Sequence, residues 1–257
     1  MIKMQISAFF LAPFLCLQLQ PRATAATLSG SYEVVPSNSV VDLTAQETLD
    51  WVHWGLKGDS SIDRKAAARP SIETFAPIIV GGGEGPYRYD DNANGYTWSD
   101  GAPTSAASNS VTGVYIIGKK SGFRLTVPAD TTPRRLKVYV GAYGAKAQFN
   151  AALSDGGAPE YSDSTIENVS NGPSGVYTIN FAAGSAGQKL TVTYTVSVEY
   201  DHKVANVTLQ AATLANAPTN SAPKVSTPSA RDKTIPSSSP KLPLASVGPG
   251  LDTVVSD

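Results

Sequence analysis

From residue 27 to residue 214 apolar and polar side chains alternate in short runs, and the three-to-four-residue spacing of an amphipathic helix is almost absent. The runs are rich in valine, threonine, tyrosine and isoleucine, which suit a pleated, half-buried surface. Strands are predicted at "VVDLT" (40–44), "LDWVHWGL" (49–56), "FAPIIV" (75–80), "GVYIIG" (113–118), "GFRLTVP" (122–128) and "RLKVYVGAY" (135–143). More follow at "AQFNAALS" (147–154), "GVYTINFAA" (175–183), "KLTVTYTVSVEY" (189–200) and "VANVTLQAATL" (204–214). The last two alternate over long spans around "DHK", and they read as one long antiparallel hairpin. So many strands, separated by Gly, Asn, Asp and Pro turns, predict an all-β domain over 27–214. Its expected architecture is an antiparallel two-sheet β-sandwich, jelly-roll or galactose-binding-like. Because "APTSAASNSVTG" is small and polar, a division into two immunoglobulin-like domains near 103–110 is the alternative.

A faint echo runs through the body. "SDGAP" (99–103) with "TGVYIIG" (112–118) recurs as "SDGGAP" (154–159) with "SGVYTIN" (174–180). The two offsets differ, which excludes a solenoid of fixed period. The echo reads instead as two strand–turn corners on opposite halves of a sandwich.

"LDWVHWGL" concentrates two of three tryptophans and one of two histidines. Alternation places Trp51 with His53 on one face, and Val52 with Trp54 on the other. The rings therefore cannot form one flat platform, and at least one belongs to the core. If the Trp51 face is inward, His53 is a core histidine; if outward, Trp51 and His53 form an aromatic-plus-donor surface.

The tyrosine-rich stretch "PYRYDDNANGYTWSDG" is the stronger candidate site. Read as loops, it presents Tyr87, Arg88, Tyr89, Tyr96 and Trp98 beside hydrogen-bonding side chains, the composition with which proteins grip sugars or other proteins. Within it, Asp90, Asn92 and Asn94 followed by Gly95 match the first half of a calcium loop, with Asp100 as a late fourth oxygen donor. Calcium is the one cofactor the sequence admits. Asp50, Asp59, Asp63, Glu73, Glu84, Asp90 and Asp91 could supply a glycosidase pair only if two converge. No recognisable nucleophile or phosphate-loop motif accompanies His53 or His202, and "GGGEGP" (81–86) lacks the Gly-Lys-Ser/Thr ending of a phosphate cradle. Asn168 in "NVS" and Asn206 in "NVT" would be glycosylation acceptors in a eukaryotic source.

The ends add context. Residues 1–26 carry Lys3, an apolar run from Ile6 to Leu19 and "ATA" at 23–25, which reads as a secretory signal peptide. The run is shorter than the roughly 20 residues that span a bilayer, so no membrane insertion is expected after cleavage. Cys16, the only cysteine, lies in this segment, which removes disulfides and thiol chemistry from the body. The remaining chain has 18 basic and 21 acidic side chains, since Lys3 and Arg22 leave 20 − 2 against 21. That balance gives no reason to expect nucleic acid as a partner. Residues 215–257, rich in proline and serine, read as a disordered tail or linker.

Taken together, "DWVHWGL", "YTWSDGAPT", "TGVYIIGKKSGFRLTVPADTTPRRLKVYVGAYGAKAQFNAALSDGGAP" and "VTLQAATL" resemble a β-sandwich accessory module of large secreted bacterial multidomain proteins. The resemblance covers residues 28–214. Such modules stand beside fibronectin type III and PKD-like domains and are sometimes attached to carbohydrate-active enzymes. The resemblance implies a secreted, extracellular accessory role without catalytic residues, in glycan binding or adhesion. The expectation is therefore a monomeric, non-catalytic module whose partner is a polysaccharide or cell-surface glycan. A structural spacer is the first alternative and a glycoside hydrolase the second.

Overall fold

The computed structural model describes residues 25–218 other than 47, 171 and 173. The predicted signal segment up to residue 24, and the predicted tail from residue 219, lie outside the described residues. Eighteen strands occur among the described residues. They are β1 (Thr27–Val34), β2 (Val40–Asp42), β3 (Asp50–Trp54), β4 (Ile62–Lys65), β5 (Ala76–Ile78), β6 (Glu84–Tyr89), β7 (Gly95–Trp98), β8 (Gly101–Ala102) and β9 (Ala107–Ser110). They continue as β10 (Gly113–Ile117), β11 (Gly122–Ala129), β12 (Arg134–Tyr143), β13 (Ala145–Leu153), β14 (Tyr161–Asp163), β15 (Glu167–Asn168), β16 (Gly175–Ala182), β17 (Gln188–Glu199) and β18 (Asn206–Asn216). The last strand ends two residues beyond the predicted boundary at 214.

Two antiparallel sheets make the sandwich. The larger has nine strands in the order β1-β16-β12-β18-β3-β4-β8, and it forks at β18. The first part of β18 pairs with β10, which pairs in turn with β6, and the later part pairs with β3. The opposing sheet of six strands runs β14-β13-β17-β11-β5, with β15 also on β13. Alternation explains the core between them. In β17, Leu190, Val192, Tyr194 and Val196 point inward, and in β13 every second residue from Ala145 to Leu153 does so. Facing them are Leu136, Val138, Val140 and Ala142 of β12 with Val207, Leu209, Ala212 and Leu214 of β18.

The two-sheet expectation holds, and a third layer adds to it. A small sheet of β2, β7 and β9, whose β2–β7 pairing is parallel, lies over the outer face of the nine-stranded sheet. It buries a second apolar cluster of Val35, Leu43, Trp51, Tyr96, Trp98, Tyr139, Val176 and Ala211. Each large aromatic ring buried this way contributes roughly 1.5–3 kcal/mol. All five residues of β3 are buried because both of its faces are covered.

Several expectations are corrected. β17 and β18 do not form a hairpin: one lies in each sheet, so the "DHK" segment crosses between layers. The small, polar segment at 103–110 is no domain boundary, for it supplies β9 to the third layer. The echoed "GVY" triplets lie in one sheet and not on opposite halves, yet with opposite faces inward: Val114 and Tyr177 enter the sandwich core, whereas Tyr115 and Val176 face outward. Asn206 is 7% exposed within the sheet, and the Asn168 amide donates to the Ala142 carbonyl at 3.1 Å. Burial of Asn206 removes it as a glycosylation acceptor.

Candidate functional site

The predicted aromatic surface is divided by the fold. Trp51, His53, Tyr96 and Trp98 are all at most 1% exposed, packed between the nine-stranded sheet and its cap. Trp51 and Trp98 have ring centroids 5.4 Å apart, and His53 lies 5.0 Å from Trp98 and 5.5 Å from Tyr96. None of these four can stack on a ligand. The physical reason is that the stretch read as loops is two strands, β6 and β7, and β7 turns its rings onto the sheet. Trp54 is also buried, on the sandwich side, so all three tryptophans are core.

His53 is an unusual core group. Neither ring nitrogen has a hydrogen-bond partner, and burial lowers its pKa to about 3. The backbone of Thr112 opposes the shift only in part, without reaching full hydrogen-bond geometry. The imidazole is neutral, and no carboxylate orients it as a catalytic base would require.

The four oxygen donors proposed for calcium have separate commitments. Asp90 pairs with Arg88 at 2.9 Å on the surface. Asn92 donates to the backbone and side-chain oxygens of the buried Asn94. Asp100, although burial opposes it, is held below its ordinary pKa by hydrogen bonds from Thr44, Lys65 and Trp51. Its carboxylate ties the cap to β3 and β4 and does not join the others. Among the described residues no cluster of three or more His, Cys, Asp or Glu side chains could hold a metal ion.

Beside the cap, the outer face of the nine-stranded sheet is open. Along β12 the outward side chains are Tyr139, Gly141 and Tyr143; the first lies under the cap and the last is 41% exposed. Between them Gly141 offers no side chain, and the resulting hollow has a volume of about 240 Å³. A Cβ on Gly141 would stand 2.7 Å from Thr208 Oγ1. Register sets the rest. Gly141 and Tyr115 flank Thr208 on opposite sides, and Tyr143 flanks Asn206 one row further along. With strands about 4.8 Å apart, Tyr115 and Gly141 stand roughly 10 Å from each other across the floor. The floor is fixed from below, where Tyr194 Oη of the opposing sheet donates to the Gly141 carbonyl at 2.9 Å.

Tyr115 is held by its neighbours. Its ring lies 5.5 Å from Tyr87 and 6.3 Å from Tyr89, centroid to centroid. Tyr89 lies across Gly113, where a Cβ would meet the ring at 2.7 Å. Its hydroxyl, whose pKa burial raises, donates to Asn92 Oδ1 at 3.2 Å and accepts from Gln210 Nε2. Gln210 occupies a bulge opposite the Tyr139–Val140 step, and its Nε2 also donates to Thr208 Oγ1 at 2.8 Å. Ser174 Oγ donates to Asn92 Oδ1 at 2.8 Å. The Oε1 atom of Gln210 and the Oδ1 atom of Asn206 are buried acceptors without a partner.

The hollow thus contains some of the predicted residues and adds others. Tyr89 and Asn92 line it, and Tyr87 supports it through Tyr115. Arg88 does not reach it, since its guanidinium donates to the Gly55 carbonyl and pairs with Asp90. Tyr115, Gly141, Tyr143, Ser174, Asn206 and Thr208 were not anticipated. One signal was available: a glycine inside a strand otherwise lined with aromatic residues, in "VYVGAY", marks close approach of a ligand or of backbone.

No family model matches the chain, and no curated protein matches it significantly. Solved structures do show likeness. The CBM22-1 xylan-binding domain of Xyn10C from Paenibacillus barcinonensis is similar over 66% of this chain and 95% of its own, with 12% identity and a TM-score of 0.37. TmCBM61, solved with β-1,4-galactotriose, is similar over 56% of this chain and 89% of its own, with 11% identity and a TM-score of 0.32. The enzymatically active domain of tailspike protein 4 from bacteriophage CBA120 is similar over 76% of this chain and 20% of its own, with 10% identity and a TM-score of 0.32. These likenesses lend the chain no function; the chemistry of the hollow has to carry one.

Proposed function

We propose that this protein is a secreted, non-catalytic binding module whose ligand is a carbohydrate held in the Gly141 hollow. The observation that carries the reading is the pairing of aromatic faces with neutral polar groups in one concavity. Tyr89, Tyr115 and Tyr143 supply the faces; Asn92, Ser174, Asn206 and Thr208 supply hydroxyls and amides; Asp91 is the one ionisable carboxylate. Sugars present the complementary surface, with apolar C–H faces and hydroxyls at the edge. One carboxylate does not make the pair that glycoside hydrolysis requires.

The rival reading is a spacer domain that holds no small ligand. Burial of all three tryptophans favours it. The hollow is what it leaves unexplained.

Affinity electrophoresis through gels containing neutral polysaccharides tests the proposal. The protein should be retarded by at least one. Tyr115→Ala should lose the retardation while keeping the wild-type melting temperature within a few degrees, since its ring faces away from the sandwich core; Gly141→Leu, which fills the hollow, should lose it too, with a lower melting temperature because its Cβ crowds Thr208 Oγ1. Retardation by none of the polysaccharides, or equal retardation of Gly141→Leu, refutes it.

A further inference from the structure

The hollow is blind on one side, and this bears on which part of a glycan it can take. The inference rests on the carbohydrate reading of the same site. Between the hollow and the aromatic cap runs a partition of side chains laid across the sheet face. It begins at β6 with Tyr89, passes through Asn92 and Gln210, and ends at Ser174, immediately before β16. Asn92 Oδ1 receives the hydroxyls of Tyr89 and Ser174 together. In sheet order the partition crosses from β6 past β10, β18 and β12 to β16. A bond between residues 82 positions apart in sequence thereby closes the groove along its whole width.

Behind the partition there is no further room. The next outward residues, Tyr139 and Ala211, are already under the cap with Tyr96 and Trp98. Ahead of it the floor runs from Gln210 to Asn206, where β18 begins, and those five residues span about 13 Å of strand. The volume of about 240 Å³ lies below the roughly 300–1,000 Å³ typical of sites that enclose a drug-sized ligand. Tyr115 and Tyr143 stand on either side of the Thr208–Asn206 strip and do not lie in one line, so they bracket a single ring and offer no track for a chain.

We propose that the hollow receives the terminal sugar of a glycan end-on, with the partition as its stop, and does not accept the interior of a polysaccharide chain. Asn92 and Ser174 are then positioning residues: they hold the stop in place. Tyr115 and Tyr143 touch the terminal ring.

The test compares binding by chain ends with binding by chain mass. The full-length protein is titrated with neutral polysaccharides (β-1,4-glucan, β-1,4-xylan, β-1,4-galactan and α-mannan), each intact and after limited endo-hydrolysis, at equal mass. For the polysaccharide that binds, a cut that makes about ten ends from one should raise the apparent affinity by mass about tenfold. The free monosaccharide should compete for the site. An affinity by mass that is unchanged or reduced by hydrolysis overturns the end-on mode and leaves the carbohydrate reading standing. Absence of binding to every polysaccharide, intact or cut, overturns both.

Discussion

His53→Phe should abolish an acid sensitivity that originates in the aromatic layer under the cap. The wild-type imidazole is buried, has no hydrogen-bond partner at either nitrogen, and has its pKa lowered to about 3. In the unfolded chain the same group returns to about 6.5. The unfolded state therefore binds the proton first as pH falls, so the associated stability is fully present above about pH 6.5 and is lost between there and about pH 3. Each pH unit within that window costs about 1.4 kcal/mol, so moving from about pH 7.5 to about pH 5 removes about 2 kcal/mol. Carboxylates with lowered pKa, Asp100 among them, are stabilising above their unfolded values and lose that contribution only as pH falls through the range near 4, so they leave this window largely to the histidine. Urea unfolding followed by tryptophan fluorescence measures the effect at both pH values. His53→Phe should lose less than about 0.5 kcal/mol over the same interval, whatever its stability at neutral pH. His202→Gln, which alters an exposed residue, should retain the wild-type loss. An equal loss in His53→Phe and wild type, or a wild type indifferent to the change, would show that His53 does not carry the acid sensitivity.

Further substitutions test the packing. Trp98→Ala should cost about 3–5 kcal/mol in urea unfolding, because Trp98 is core and not a ligand platform. Asp50→Ala leaves the Ser71 and Ile72 amides, now bonded to Asp50 Oδ2 at 2.7 and 2.9 Å, without an acceptor; a loss of about 2–3 kcal/mol is expected, with Asp50→Asn milder. Gly55→Ala should destabilise by more than about 2 kcal/mol in a thermal melt. Gly55 has φ of 79°, and a Cβ there would stand 2.3 Å from the Gly113 carbonyl oxygen.

Where one sheet face meets one core, the sequence was easy to read. The strict alternation of β13 and β17 identified both strands to within two residues at each end, since each has a single buried face. Alternation also separated Trp51 and His53 from Val52 and Trp54 correctly. What it could not supply was the layer on the far side, because its strands are three or four residues long and β2 lies far in sequence from β7 and β9. Covered on both faces, β3 offers no polar side to recognise. The same ambiguity hid the binding face. "GVYIIG" and "GVYTIN" are nearly the same string, and a one-residue difference in phase sends Tyr115 outward and Tyr177 inward. The site itself depends on pairings between strands far apart in sequence, which bring Gly141, Thr208 and Tyr115 into one row. Tyr89 and Asn92 were legible as members of a polar aromatic segment. Their partners, Gln210 and Ser174, become visible only once the sheet is assembled.

Backbone-amide NMR during titration with a neutral oligosaccharide that the protein retains in gels would place the ligand on the surface of the molecule. Shifts should concentrate at Gly141, Ala142 and Thr208 and at Tyr115 opposite them, with little change around the capped Trp51 and Trp98. Shifts centred on any other surface, with the Gly141 hollow unmoved, would contradict it.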